Sequence, residues 1–198
     1  MTSMRDNPSG FKKVAICSGH MIDKPNRPDE RFPPRKEAVV GDKMAHQLAA
    51  WNIAQGDLAI CGAARGADML FAELCAGRGA TVWLFIPLPE NEFLDESVRL
   101  PGSNWEARYF ALRRREDVKT YFLADQPGST TEGLSVFARN NLWMIEAAQR
   151  EAPDFSNVFA LLVWDEKPTG DGPGGTSDFA ARIKDLGGQL AVINPLNL

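Results

Sequence analysis

The chain has 198 residues, a net charge of −4 at neutral pH and a sequence pI of about 5.3. This acidic balance argues against non-specific binding to nucleic acid, which usually depends on a basic excess or a basic stripe. Hydrophobic residues make up 44% and charged residues 24%, which is ordinary for a globular protein, and the length favours one domain. We therefore expect a loose tail over residues 1–12 and a single domain over residues 13–198.

The cysteines and histidines predict neither a disulfide framework nor a metal site. Cys17, Cys61 and Cys75 are odd in number and widely spaced, and the first two fall in predicted strands as small buried side chains. His20 and His46 are far apart, and no Cys/His cluster has the spacing of zinc ligands, so we expect no metal and no cofactor. Residues 1–10 lack the apolar core of a signal peptide, and no apolar run approaches the roughly 20 residues that span a bilayer. The expected location is the cytoplasm, away from membranes.

Strand patterns and helical patterns alternate along almost the whole chain. Continuous apolar runs predict six strands: residues 13–17, 58–61, 81–86, 119–123, 157–164 and 190–193. Apolar spacing of three to four residues, together with start and stop signals, predicts six helices: residues 35–55, 68–77, 90–98, 105–115, 138–150 and 177–186. This alternation predicts an α/β fold, doubly wound, in which helices cover both faces of a mostly parallel sheet.

Three predicted loops are rich in proline, glycine or charge. Residues 23–34 form a charged segment that prolines exclude from helix and inner strand, and a loop of this length is usually functional or mobile. Residues 126–133 and the glycine-rich residues 167–176 are the other two, and the latter follows a strand.

The glycine-bearing turn after the second strand is the strongest candidate for a ligand site. Gly62 and Gly66 let the backbone approach a ligand, and the helix that follows offers free N–H groups and a positive dipole end, which favours phosphate. A tight connection without a ligand is the alternative. Arg65 could clamp a phosphate or carboxylate, or pair at the surface with Asp68 or Glu73. Asp68 could cap its own helix or accept a hydrogen bond from a sugar hydroxyl.

Further turns follow the carboxyl ends of other predicted strands, so they fall at the same edge of the sheet. Ligands of parallel sheets bind at this edge. Ser18-Gly19-His20 follows the first strand, where His20 could be a general base; no carboxylate at an obvious spacing orients it, which favours a structural or hydrogen-bonding role. Gly174-Gly175-Thr176 precedes the last helix as a second anion cradle or a flexible linker. Arg139-Asn140-Asn141 could cap a helix or contribute amides to the pocket.

The run Gly62-Ala63-Ala64-Arg65-Gly66-Ala67-Asp68 resembles the Smf/DprA–Lonely-guy (SLOG) superfamily, whose members carry a Gly-Gly-Ala-x-Gly-Ala/Val-Asp turn between a strand and a helix. Here Ala63 replaces the second glycine. Residues 18–23, followed by Arg31-Phe32-Pro33, resemble SLOG domains of bacterial signalling and conflict-system proteins. Gly174-Gly175-Thr176 is similar to part of the Pro-Gly-Gly-x-Gly-Thr-x-x-Glu signature of Lonely-guy phosphoribohydrolases. The succession of elements and turns is similar over residues 13–193.

The resemblance implies a Rossmann-like fold that binds a nucleotide or a nucleotide-derived phosphorylated ligand, as a sensor or ligand-binding module. The candidate ligand-binding residues are Ser18, Gly19, His20, Gly62, Ala63, Arg65, Gly66, Asp68, Glu73, Gly174, Gly175 and Thr176.

Two other functions stay open at this stage. One is a nucleoside-monophosphate N-glycosidase, although no glutamate follows Thr176 at the matching place and Asp178 and Glu73 are the nearest acids. The other is a structural or interaction module. SLOG relatives often pair, so Trp51 or Trp143 could serve a homodimer or simply pack in the core.

Overall fold

The computed structural model describes residues 10–123, 134–167 and 175–198. Its strands are β1 Val14–Gly19, β2 Leu58–Cys61, β3 Thr81–Ile86, β4 Val118–Phe122, β5 Val158–Val163 and β6 Gln189–Ile193. They form one sheet in the order β4-β3-β2-β1-β5-β6, and every described pairing is parallel. The chain builds outward from β1 to β4 and then continues on the other side with β5. The switch point of the sheet therefore lies between β1 and β5, where ligands of open α/β sheets bind.

The described helices are α1 Glu37–Ala50, α2 Ala67–Gly77, α3 Glu90–Phe93, α4 Trp105–Arg113, α5 Val136–Glu151 and α6 Thr176–Asp185. One face of the sheet packs on α1, α2 and α4, and the other packs on α5 and α6. The predicted doubly wound, Rossmann-like α/β fold is thus confirmed. None of the described helices combines the length and apolar character that crossing a bilayer demands.

Alternation of side chains along the strands separates the two cores. In β1, Ala15 and Cys17 face the core that includes Met44 of α1 and Phe71 of α2, whereas Val14 and Ile16 face the core beneath α5 and α6. All of β5 is buried, as expected for a strand covered on both faces. Cys17 and Cys61 are buried and free, as their strand positions predict.

The element boundaries differ from the predictions where backbone geometry intervenes. Helix α1 ends at Ala50 rather than at Gln55, because Asn52 adopts a left-handed conformation with φ of 52°. Strand β1 extends through Ser18 and Gly19, which were predicted as a turn. The helix predicted over residues 90–98 is α-helical only to Phe93 and continues as a π-helical turn, Leu94–Val98.

Some predictions fall on residues that the structure does not describe. These are most of the tail, the loop at 126–133, and Gly174 with most of the glycine-rich loop at 167–176.

Candidate ligand-binding site

A cavity of about 320 Å³ lies at the carboxyl ends of β1, β2 and β3. This volume is at the lower end of the range for small-molecule pockets, roughly 300–1,000 Å³. The end of β1, the turn after β2 and the first turns of α2, α5 and α6 all contribute to its lining. The topology therefore assembles one site from segments that are far apart in the sequence.

The structure brings together seven of the predicted site residues around this cavity: Ser18, Gly19, His20, Gly62, Asp68, Gly175 and Thr176. Four others lie outside its described lining: Ala63, Arg65, Gly66 and Glu73. Gly174 is outside the described residues. Asn140 and Asn141, whose amides the sequence offered to the pocket, also line the cavity. Several other lining residues were not among the predicted site residues, including Arg31, Phe93, Ser97 and Phe137.

The glycines of the turn between β2 and α2 permit close packing within the protein. A Cβ at Gly62 would lie 2.8 Å from the Oδ2 atom of Asp68. At Gly66, where φ is 98°, a Cβ would lie 2.6 Å from the backbone nitrogen of Ile22. Ala63 adopts φ of 60°, so it holds the left-handed conformation that a glycine would adopt more easily. The turn needs its glycines at least as much for packing as for a ligand.

Several N–H groups of this turn donate to acceptors of the protein itself. The amide of Ala64 donates to Asp68 Oδ2 at 3.2 Å, that of Arg65 to the Ser97 carbonyl at 2.9 Å, and that of Ala67 to the His20 carbonyl at 3.2 Å. The carboxyl of Asp68 thus caps the turn before its own helix. These three donors are already used, so they add little to an anion site.

Burial changes the acidity of Asp68. Desolvation raises the pKa of its carboxyl to about 7, although the hydrogen bond from the Ala64 amide lowers it in part. Near neutral pH, both protonation states of this cavity-lining group are populated. Asp68 can therefore donate a hydrogen bond to a ligand in one state and accept one in the other.

Arg65 is almost completely buried, with 2% of its surface exposed. Its Nε donates to the Ile22 carbonyl at 3.1 Å, and its Nη1 donates to the Glu96 carbonyl at 3.4 Å. Burial lowers the pKa of the guanidinium, and the charge of Asp23 partly opposes that effect. Arg65 joins the segment after β1 to the π-helical turn and does not pair with Asp68 or Glu73.

Glu73 takes part in an ion-pair network that joins three helices. Arg108 of α4 donates from Nε to Glu73 at 2.8 Å and from Nη1 to Glu37 of α1 at 2.7 Å. The same guanidinium stacks on Trp105, with 3.9 Å between its Cζ and the ring centroid. The two oxygens of Glu73 are therefore held by Arg108, outside the cavity lining.

His20 has a carboxylate partner that its sequence neighbours do not reveal. Its Nε2 lies 3.0 Å from Oδ1 of Asp165 and 3.1 Å from the backbone nitrogen of Asp165. A protonated Nε2 donates to the carboxylate, whereas an unprotonated Nε2 accepts from the amide. The expectation that no carboxylate orients His20 is wrong, because Gly19 and Val163 pair at the ends of β1 and β5 and bring the two residues together.

The Asp165 carboxylate is itself held in its charged form. Burial alone would raise its pKa, but the hydrogen bond and charge of His20 lower it below the usual value, with smaller contributions from the Lys167 amide and the charge of Arg31. The pair of His20 and Asp165 lies at the switch point between β1 and β5.

Helix α5 contributes a cap and an unsatisfied acceptor to the site. Ser135 Oγ accepts from the Ala138 amide at 3.1 Å, which caps the helix. Asn140 is 4% exposed, and its Nδ2 donates to the Phe85 carbonyl at 2.9 Å. Its buried Oδ1 has no hydrogen-bond partner among the described residues. A buried acceptor without a donor costs free energy, which a ligand donor could recover.

The cavity also has an apolar wall. Phe93, Phe137, Met21 and Met144 line it, and Phe137 is 47% exposed. Exposed aromatic rings at a cavity are suited to stacking on a planar group. In the part of the chain that the structure describes, no group of three or more His, Cys, Asp or Glu side chains could hold a metal ion.

No protein-family model matches the chain, and no curated protein matches it. Among solved structures, the Moco carrier protein from Chlamydomonas reinhardtii is similar, with 12% identity and a TM-score of 0.36 over 93% of this chain and 91% of that one. DNA processing protein A (DprA) from Streptococcus pneumoniae is similar with 16% identity and a TM-score of 0.39, over 92% of this chain and 59% of that one.

Proposed function

We propose that the cavity binds a nucleotide or a nucleotide-derived phosphorylated ligand, and that the protein acts as a sensor or ligand-binding module. One observation carries the proposal: helices α2, α5 and α6 all begin at the same cavity of about 320 Å³. Each helix start carries partial positive charge, although protein acceptors already use the Ala67 amide at α2 and the Ala138 amide at α5. Their convergence favours an anionic group inside the cavity.

The phosphate fits best at the start of α6. At the start of α2, protein acceptors use the nearby amides, and the carboxyl of Asp68 would repel an anion when ionised. At the start of α6, Gly175 makes no side-chain cap, and Thr176 places a hydroxyl at the cavity. In the part of the chain that the structure describes, no side-chain cap competes for the first amides of α6, which favours an anion there.

The remaining lining suits the other parts of a nucleotide. The exposed ring of Phe137, in the apolar wall, offers a surface for a base. The unsatisfied Oδ1 of Asn140 and the carboxyl of Asp68 offer acceptors for sugar hydroxyls or base amino groups. Arg65 and Gly66 support this site indirectly, by holding the segment after β1 in place.

A thermal-shift panel tests this function. Each 5′-nucleoside monophosphate, with dinucleotides and nucleotide sugars, is compared with the matching phosphate-free nucleoside. A ligand present at 100 times its Kd stabilises the folded state by about 2.7 kcal/mol, which raises the melting temperature measurably. We expect at least one phosphorylated compound to raise it more than its nucleoside does. A panel in which no compound raises the melting temperature would overturn the proposal.

The raised pKa of Asp68 favours one second candidate, hydrolysis of the N-glycosidic bond of a nucleoside monophosphate. A carboxyl with a pKa of about 7 at the cavity can protonate a leaving base or stabilise an oxocarbenium-like transition state. Incubation with each nucleoside monophosphate, followed by chromatography, detects free base. Base release that disappears in Asp68→Asn would support this activity, and no release at any pH would reject it.

Homodimerisation remains a prediction. Trp51 packs on Phe159 with 5.5 Å between ring centroids, and Trp143 packs on Phe85 at 4.3 Å. Core packing therefore accounts for both tryptophans. Light scattering over a range of protein concentrations would decide the oligomeric state.

A further inference from the structure

We infer that Arg31 is the side chain that pairs with the anionic group of the bound ligand, and that the Asp23 carboxylate is its positioning residue. This inference rests on the proposed function and assigns a residue of that same site. The anion-binding role that the sequence suggested for Arg65 is thereby assigned to Arg31, in the proline-rich loop.

The charges of the cavity lining favour Arg31 as the partner of an anion. Among the described lining residues, Arg31 is the one arginine or lysine. An anionic group that leaves water for a cavity needs a charged or strongly polar partner, and a guanidinium can bind phosphate through two parallel hydrogen bonds. Arg65 lies outside the lining, with its guanidinium directed to main-chain carbonyls.

The backbone of Arg31 is held in place by a buried carboxylate. Oδ2 of Asp23 accepts from the amide of Arg31 at 2.9 Å and from the amide of Phe32 at 3.0 Å. The Asp23 amide donates to the Phe32 carbonyl at 2.9 Å, and the Phe32 ring is fully buried. These contacts close residues 23–32 into a loop whose base is fixed although residues 24–30 are exposed.

The base of this loop is attached to the sheet edge. The His20 amide donates to the Val163 carbonyl at 2.8 Å, and the Ile22 amide donates to the Arg65 carbonyl at 3.3 Å. The segment that leads into Asp23 is thus tied to β5 on one side and to the turn after β2 on the other. Arg31 therefore lies at the cavity on a rigid base, which lowers the entropy cost of binding.

The surroundings of Arg31 agree with this position. Burial raises the pKa of Asp165, and the contacts of His20 lower it below the usual value. The positive charge of Arg31 adds a smaller lowering effect. Arg31 therefore lies near enough to Asp165, which follows β5, for its charge to act on that carboxylate. A ligand phosphate at the start of α6 would also border the switch point between β1 and β5, because Thr176, His20 and Arg31 line the same cavity.

The experiment measures binding of the four ribonucleoside 5′-monophosphates and their nucleosides by calorimetry, at fixed pH and ionic strength. The proteins are the wild type, Arg31→Gln, Arg31→Lys and the control Arg35→Gln. Arg35→Gln is a matched control because it removes the same charge from a residue just after the same loop. Arg35 pairs with Glu30 and lies outside the cavity lining. Thermal unfolding of each variant confirms that it folds.

We expect Arg31→Gln to weaken monophosphate binding about 10- to 100-fold, the range for a charge-assisted hydrogen bond, and to leave nucleoside binding unchanged. Arg31→Lys should retain part of the affinity, since lysine keeps the charge but not the fork of donors. Arg35→Gln should bind like the wild type.

Asp23→Ala tests the positioning role. If Asp23 acts through Arg31, Asp23→Ala should weaken monophosphate binding, and adding it to Arg31→Gln should cause little further loss. If Asp23→Ala lowers the monophosphate affinity by the same factor in the wild type and in Arg31→Gln, Asp23 does not act through Arg31.

Two failures are distinguishable. A wild type that binds monophosphates, with Arg31→Gln binding them equally well, overturns the inference alone. A wild type whose melting temperature no phosphorylated compound of the thermal-shift panel raises overturns the proposed function, and the inference with it. If the wild type binds only a dinucleotide or a nucleotide sugar, that compound replaces the monophosphates in the comparison with Arg31→Gln.

Discussion

The turn Gly62–Asp68 and the loop 23–32 lie at the same edge of the sheet and do different work. In the turn, three amides, one buried guanidinium and one carboxyl bind to protein groups. In the loop, a buried carboxylate holds the backbone of Arg31, a residue that lines the cavity. We therefore propose that the turn mainly supports the site and that the proline-rich loop supplies its charge.

This difference shows that a glycine-bearing turn at a helix start is not by itself an anion site. Its N–H groups must also be unpaired, and here Asp68 and two backbone carbonyls accept from three of them. Single substitutions can separate residues that support the site, which affect stability, from residues that contact a ligand, which affect binding.

The largest expected effect is the loss of stability in Gly66→Ala. Its Cβ would lie 2.6 Å from the backbone nitrogen of Ile22, in a left-handed conformation that alanine adopts poorly. We expect the free energy of unfolding, measured in urea, to fall by about 2–5 kcal/mol. Gly77→Ala is the control, because a Cβ there meets nothing within 4 Å. A loss below about 1 kcal/mol in Gly66→Ala would contradict the packing role of this turn.

Arg65→Met should follow in size. It leaves the carbonyls of Ile22 and Glu96 without these donors in a buried setting, so we expect a loss of about 2–4 kcal/mol in urea unfolding. The exposed Arg114→Gln serves as the control. If Arg65→Met is as stable as the wild type while its nucleotide binding is lost, Arg65 contacts a ligand and the division between the two regions fails.

Asp68→Asn should change how stability depends on pH. Folding raises the pKa of this carboxyl from 3.8 to about 7, so between these values the folded state binds more protons than the unfolded state. The contribution of Asp68 to stability is therefore full below about pH 4 and declines as the pH rises to about 7, by about 1.4 kcal/mol for each pKa unit between the two states.

The measurement for Asp68 is urea unfolding at pH 5 and pH 8. Relative to the wild type, Asp68→Asn should lose less stability between the two values, and the exposed Asp185→Asn should follow the wild type. Equal slopes for the wild type and Asp68→Asn would show that the buried carboxyl does not titrate in this range.

The smallest expected effect is that of Ala63→Gly. Relief of the left-handed conformation gains about 1 kcal/mol, and loss of a buried methyl together with greater freedom of the unfolded chain costs about as much. We expect a net change within about 1 kcal/mol in urea unfolding. A loss well above that value would mean that the Ala63 methyl is essential to packing.

The sequence predicted the fold better than the site, for physical reasons. Strands such as β2 and β3 are buried on both faces, so their apolar runs predict their exact bounds. The end of α1 was misplaced because it depends on the left-handed conformation of Asn52, which no apolar pattern reports.

Site contacts depend on the order of the strands. His20 and Asp165 are 145 positions apart and meet only because β1 pairs with β5. Arg65 was expected either to clamp a ligand or to pair at the surface, and neither alternative includes its burial against two main-chain carbonyls, because arginines rarely lie fully buried. The position of Arg31 depends on a carboxylate eight residues earlier that binds two backbone amides, which composition alone does not reveal.

The most direct test of the central claim is a crystal structure of the protein with a bound nucleoside monophosphate, chosen by the thermal-shift panel. The account predicts the phosphate within hydrogen-bond distance of the Thr176 hydroxyl, at the start of α6, and of the Arg31 guanidinium, with the base against Phe137. A phosphate bound at the amides of Ala64 to Ala67, or a nucleotide bound away from this cavity, would contradict it.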